Sequence, residues 1–129
     1  MEIKKLLCIE DTYSKYMDIF NYLKPQKIST IDRAADAKDA VKYVETAANE
    51  NDQYDLIISD MNFDYFGQDD PEAGEKTMAL LREKGYNIPT IICSADKLVI
   101  PGTIGSIFYN PDRNWEAEAD ALFKKIREL

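Results

Sequence analysis

The sequence predicts an α/β fold: a three-layer, doubly wound sheet of five parallel strands. Two observations predict it. Short apolar runs such as Leu56-Ile57-Ile58-Ser59 are continuous rather than alternating, as in parallel strands buried on both faces. They also alternate with stretches whose apolar residues recur every three or four positions, the period of amphipathic helices.

In chain order, Lys5 to Ile9 reads as the first strand and stops at Glu10-Asp11. Thr12 to Lys24 reads as a helix whose apolar face is Tyr13, Tyr16, Met17, Phe20 and Leu23. Pro25 ends it, because the residue before a proline is pushed out of helical geometry. Residues 28–32 form a second strand. Asp36 caps the next helix, with Ala37, Ala40, Val41, Val44 and Ala48 inward. After a polar loop, residues 56–59 form the central strand, ending at Asp60.

The polar and aromatic segment 62–72 follows, read as a solvated acidic flap or, more sharply, a partner-binding lid. A third helix spans Pro71 to Lys84, with Met78, Leu81 and Ala73 or Thr77 inward and Gly85 closing it. Residues 88–94 are the fourth strand. Residues 95–104, interrupted by Pro101 and Gly102, leave room for little more than one helical turn. Residues 105–109 make the fifth strand. Trp115 to Leu129 forms a closing helix with Trp115, Ala119, Leu122, Phe123 and Ile126 inward. Nothing suggests a repeat or linker, so residues 1–129 are expected to be one domain. A chain of this length buries about two-thirds of its unfolded surface.

Composition narrows the chemistry. The net charge of -8 and the lack of a basic patch argue against nucleic acid. The N-terminal apolar run is too short for a signal peptide or membrane span, so a cytoplasmic protein is expected, without a membrane partner. Cys8 and Cys93 fall inside strands and read as small buried hydrophobes. The chain has no histidine, which excludes a histidine base, and zinc is improbable on two cysteines. Chemistry here must run on carboxylates, hydroxyls, lysines or a metal.

In open α/β sheets, ligands gather outside the carboxyl ends of the strands. Glu10, Asp11, Asp60, Ser94 and Asn110 with Pro111 stand at those ends. Asp60 on its own stretch reads equally as a reactive acid or a turn cap. Three carboxylates at one rim would repel without a cation. Mg²⁺ fits, being held by one or two carboxylates together with phosphate oxygens. Aspartate can also attack phosphorus as a nucleophile.

Four stretches together resemble the receiver domain of two-component response regulators: residues 6–11 (Leu-Leu-Cys-Ile-Glu-Asp), 56–62 (Leu-Ile-Ile-Ser-Asp-Met-Asn), 89–95 (Pro-Thr-Ile-Ile-Cys-Ser-Ala) and 107–111 (Ile-Phe-Tyr-Asn-Pro). The resemblance covers nearly the whole chain. It implies a flavodoxin-like strand order 2-1-3-4-5 with a shortened fourth helix. It implies that Asp60 is the phosphoacceptor and Ser94 the switch hydroxyl. Glu10, Asp11, Asp60 and the backbone carbonyl of Asn62 would hold Mg²⁺. It implies a non-enzymatic signalling protein taking its phosphoryl group from a histidine kinase or phosphotransfer protein and acting on an unknown downstream protein; with no output domain following Leu129, it is expected to stand alone.

Three departures stand out. Asn110 replaces the family's lysine, giving up a charge-assisted bond to the phosphoryl group; Lys97 or Arg113 is a candidate substitute. The loop after Asp60 is about half a dozen residues longer than usual in the family, with Gly74 matching a glycine that normally comes sooner. The fourth helix is cut short, and Ile107 lies where the family's switch aromatic commonly stands. These departures support an alternative, a pseudo-receiver interaction module that works without phosphorylation. A phosphatase reading fails for want of a second acid, since Asn62 stands two residues after Asp60. A nucleotide-binding reading fails because no glycine-rich loop follows the first strand.

Overall fold

A computed structural model describes residues 1–129. The elements in order are β1 (Lys5–Ile9), α1 (Tyr13–Leu23), β2 (Thr30–Ala34), α2 (Ala37–Asn49), β3 (Leu56–Ser59), β4 (Phe63–Tyr65), β5 (Gln68–Asp70), α3 (Ala73–Glu83), β6 (Thr90–Ser94), β7 (Gly105–Phe108) and α4 (Glu116–Arg127). Five strands make one sheet in the order β2-β1-β3-β6-β7, every neighbour parallel. Counting only these strands, the order is the expected 2-1-3-4-5.

The sheet separates two apolar layers. Leu6, Cys8, Leu56, Ile58, Ile91 and Cys93 pack against Ile19 and Leu23 of α1 and Ala119, Phe123 and Ile126 of α4. Leu7, Ile9 and Ile57 face the other way, against α2 residues Ala37 to Ala47 and Leu81 of α3. Adjacent strand residues serve opposite layers, which is why the runs carry no polar alternation. Each fully buried Leu or Ile contributes about 1.5–3 kcal/mol relative to exposure.

Several expectations shift. The buried face of α1 is Lys15, Ile19 and Leu23, whereas Tyr13 is 57% exposed. The i, i+4, i+8 stripe was hidden because its first member is a lysine and the helix carries aromatics around its circumference. β2 starts and ends two residues later than expected; its register sets Lys5 opposite Thr30 and Ile9 opposite Ala34. The α2 cap holds, with the Asp39 N–H donating to Asp36 Oδ1 at 2.8 Å; Ala47, not Ala48, is fully inward.

The solvated segment after Asp60 has regular structure of its own. β4 and β5 pair as an antiparallel hairpin, Phe63 opposite Asp70 and Tyr65 opposite Gln68. Phe66 and Gly67 make its turn with φ of 53° and 106°, the two positive values a type I′ turn requires. Phe63 anchors the hairpin in the α2–α3 layer at 1% exposure, and Lys76 holds Asp70 at 2.6 Å. Between β6 and β7 the shortening of the fourth helix is complete: residues 95–104 contain no helical turn.

Candidate functional site

β1 and β3 are neighbours, with Ile9 opposite Ser59, so their following residues emerge side by side. Carboxylate oxygens of Glu10, Asp11 and Asp60 lie within 4.8 Å of one another. Glu10 is buried at 1% exposure, Asp60 is half-buried and Asp11 is exposed. The expected trio is therefore assembled at the carboxyl rim.

The local backbone fixes Asp60. Its N–H donates to Ile9 O at 2.9 Å. Its Oδ1 accepts from the Met61 N–H at 2.8 Å, and Ser59 Oγ donates to its carbonyl at 2.8 Å. Gly74, at the start of α3, donates its N–H to Met61 O at 3.0 Å. A Cβ on Gly74 would overlap the Asp60 carbonyl, so glycine is required by this close approach.

Lys15, which the sequence pattern did not single out, enters this cluster from α1. Its Nζ lies 2.8 Å from Glu10 Oε1 and 3.2 Å from Asp60 Oδ1, and donates to the Cys93 carbonyl at 2.7 Å. The Glu10 contact lacks hydrogen-bond geometry, so it acts chiefly as a Coulombic pair. The Lys15 ammonium also lies 5.4 Å from the Tyr109 ring centroid, within cation–π range. The only available signal was its spacing of four and eight residues from Ile19 and Leu23, which puts a charge on the buried stripe.

Burial disfavours the charged form of an acid. It pushes Glu10 up from 4.5 to about 7, opposed by Lys15 and reinforced by Asp60. Burial alone would push Lys15 down, but Glu10 and Asp60 outweigh it and hold the ammonium above its ordinary range. Burial also raises both thiols, Cys93 to about 12 and Cys8 well above its usual value. Both cysteines are unpaired and buried, as expected for structural rather than reactive thiols.

The other expected residues form no hydrogen bond with the trio. Ser94 ends β6 at 5% exposure, and its Oγ accepts from the Asp96 N–H at 3.2 Å. Asn62 is exposed. Asn110 is exposed and its Oδ1 accepts from the Asp112 N–H at 2.8 Å, so its amide closes its own turn. Neither proposed substitute for the missing lysine pairs with the trio. Arg113 is held by Glu118 and the Phe108 carbonyl, and Lys97 is exposed.

The donor set suits a hard divalent cation, since all the candidate ligands are oxygen. The formal charge of three carboxylates and one ammonium is −2. Asp11 forms no ion pair with Lys15, and Asp60 Oδ2 receives no protein hydrogen bond, which leaves oxygens free for a metal. Glu10 is more committed, because Oε2 accepts from the Thr12 N–H at 3.2 Å while Oε1 faces Lys15. Two larger surface recesses, about 480 and 920 Å³, include none of these residues. Exposed Asp11 and half-buried Asp60 open the rim to solvent.

No family model matches the chain, and no curated protein matches it. Solved structures do. The signal receiver domain of a putative Luxo repressor protein from Vibrio parahaemolyticus is similar with a TM-score of 0.74 at 16% identity, covering 98% of this chain and 92% of that one. The N-terminal domain of a response regulator/sensory box/GGDEF protein from Carboxydothermus hydrogenoformans gives 0.70 at 20% identity, with coverages of 97% and 94%. The response regulator TrrA from Thermotoga maritima, solved in complex with Mg²⁺-BeF, gives 0.68 at 18% identity, with coverages of 96% and 99%. The chain has the fold of a response regulator receiver domain.

Proposed function

We propose that this chain is a single receiver unit of two-component signalling, working in the cytoplasm, whose Asp60 accepts a phosphoryl group with the help of Mg²⁺. The observation that carries this reading is the trio of Glu10, Asp11 and Asp60, their oxygens within 4.8 Å at the carboxyl rim. The phosphodonor is a histidine kinase or a phosphotransfer protein. An unidentified downstream protein reads the result.

Asp60 Oδ2, free of protein hydrogen bonds, is the oxygen that attacks. An O–P bond forms to Asp60 as the N–P bond of the donor's phosphohistidine breaks. The leaving imidazole nitrogen takes a proton from solvent. The backbone N–H of Met61 holds Oδ1, so the carboxylate cannot rotate freely and Oδ2 stays presented. Mg²⁺ when bound, held by Asp11 and Asp60 with Glu10 behind them and the Asn62 carbonyl as a further ligand, would neutralise charge on the incoming phosphoryl oxygens. Ser94 would donate its hydroxyl to the phosphoryl group after releasing the Asp96 N–H. The protein is a substrate and carrier of the group, not an enzyme with a turnover of its own.

The test is intact-mass measurement after incubation with Mg²⁺ and phosphoramidate. Wild type is expected to gain one phosphoryl group and Asp60→Asn none. If wild type gains nothing, and Mg²⁺ with beryllofluoride moves no NMR resonance near the rim, the pseudo-receiver alternative replaces this reading.

A further inference from the structure

We infer that Lys15, delivered from helix α1, is the cation that binds the phosphoryl group on Asp60, in place of a lysine at position 110. The inference rests on the reading of Asp60 as phosphoacceptor. It adds a phosphoryl-binding residue that comes from a different element of the fold.

The geometry is specific. The ammonium lies 3.2 Å from Asp60 Oδ1, one carboxylate oxygen away from the oxygen free to be modified. It is not a surface charge that happens to be near, because its side chain is 11% exposed. Three fixed partners aim it: Glu10 Oε1, the Cys93 carbonyl and the Tyr109 ring. Each is anchored by buried structure, Glu10 at 1%, Cys93 at 1% and Tyr109 at 9% exposure. An ammonium has three donors and a compact charge. In the unmodified protein two contacts are to acids and one is to a carbonyl.

Phosphorylation changes what Lys15 faces. Acyl-phosphate formation removes the charge from the Asp60 carboxylate and places more negative charge on phosphoryl oxygens two bonds beyond Oδ2. The ammonium is then paired with Glu10 alone among the carboxylates, while strong acceptors lie within the reach of a small χ adjustment. Asn110, whose Oδ1 closes the Asp112 turn, offers those oxygens only a neutral amide donor and no charge, the weaker kind of hydrogen bond. Arg113 is held by Glu118 and the Phe108 carbonyl, and Lys97 is exposed and forms no ion pair with Asp60. Lys15 is the one basic side chain paired with Asp60.

The position also explains the cost of a lysine on a core stripe. A buried ammonium is unfavourable unless paired and hydrogen-bonded, and a hydrophobe at residue 15 would continue the line of Ile19 and Leu23. Lys15 instead neutralises one of three crowded carboxylates while leaving Asp11 unpaired for a divalent cation.

The experiment uses the full chain. Protein labelled with ¹⁵N at lysine Nζ, with the Lys15 signal assigned through Lys15→Arg, is titrated with Mg²⁺ and beryllofluoride. The Lys15 resonance is expected to shift in step with backbone signals of Asp60 and Met61. In parallel, acyl-phosphate yield and lifetime are measured for wild type, Lys15→Gln and Lys15→Gln/Asn110→Lys. Losing one charge-assisted bond should lower yield or lifetime on the order of tenfold, and the lysine at position 110 should recover part of it. Wild type that takes up no phosphoryl group would overturn the reading of Asp60, and this inference with it. Wild type that is phosphorylated, with a Lys15 signal unmoved or with Lys15→Gln equal to wild type, would overturn this inference alone. Should Lys15→Gln fail to fold, the wild-type Lys15 resonance decides by itself.

Discussion

The first turn of α3 rests on the backbone of Asp60: Gly74 donates to Met61 O at 3.0 Å and has no room for a Cβ above the Asp60 carbonyl. The obstacle is backbone, not a flexible side chain, so it cannot swing aside. Gly74→Ala should therefore destabilise the fold by about 1–3 kcal/mol, the range for overpacking. It should also displace the Asp60 carboxylate. Urea unfolding and Mg²⁺ affinity by calorimetry check both effects; a neutral substitution would mean that α3 can slide without cost.

Metal binding should divide the trio unequally. Asp11 is exposed and Asp60 keeps Oδ2 free, whereas Glu10 is committed to Lys15 and the Thr12 N–H. Asp11→Asn is expected to weaken Mg²⁺ binding by tenfold or more, on the order of 1.4 kcal/mol. Glu10→Gln should act mainly on stability, because it leaves Lys15 with a neutral neighbour in a buried place. Calorimetric titration of each variant, beside its unfolding curve, separates the two effects.

Glu118 offers a pH test away from the site. Its hydrogen bonds from Arg113 come first and that from the Phe108 N–H second in holding its carboxyl below the usual 4.5. A depressed folded value means that this stability is present above about pH 4.5 and is lost as pH falls through the lower folded value. A ¹³C titration of the Glu118 carboxyl should give a midpoint below 4.5. Glu118→Gln should remove the acid-range loss attributable to this group.

The hairpin turn gives a purely conformational test. Gly67 has φ of 106°, and nothing lies within 4 Å of the place where an alanine methyl would stand. Gly67→Ala should cost about 1 kcal/mol through backbone strain alone, with little change at the rim. A thermal melt beside a Mg²⁺ titration shows whether the hairpin and the site are energetically separate.

Much of this was readable in the residues. The five apolar runs, the Asp36 cap and the inward faces of α3 and α4 carry local signals strong enough to survive tertiary context. The trio at the rim followed from strand order, because carboxylates at the ends of adjacent parallel strands must meet. Three features escaped for physical reasons. The α1 face was misphased because exposed Tyr13 and the partly buried Tyr16, Met17 and Phe20 supply a competing three- and four-residue period. The β4–β5 hairpin was masked by acidic residues: Asp64 opposes Asp69, and Asp70 closes the far end, a poor strand composition rescued by the Phe66-Gly67 turn and by Phe63. Lys15 was invisible because a charged residue on a core stripe counts against helix burial until its partners are known. Those partners, Glu10, Asp60 and Cys93, are contributed by three different strand ends.

Glu118 of α4 and Arg113 close on the end of β7 through the backbone of Phe108. β7 is one of the sheet's two edge strands, and such borders invite pairing with another chain. At Phe108 that invitation is withdrawn: its N–H is bound by Glu118 Oε1 at 2.9 Å and its carbonyl by Arg113. The Arg113 guanidinium also covers the ring at 4.7 Å. With no helix between β6 and β7 to shield this border, two charged side chains guard it against aggregation.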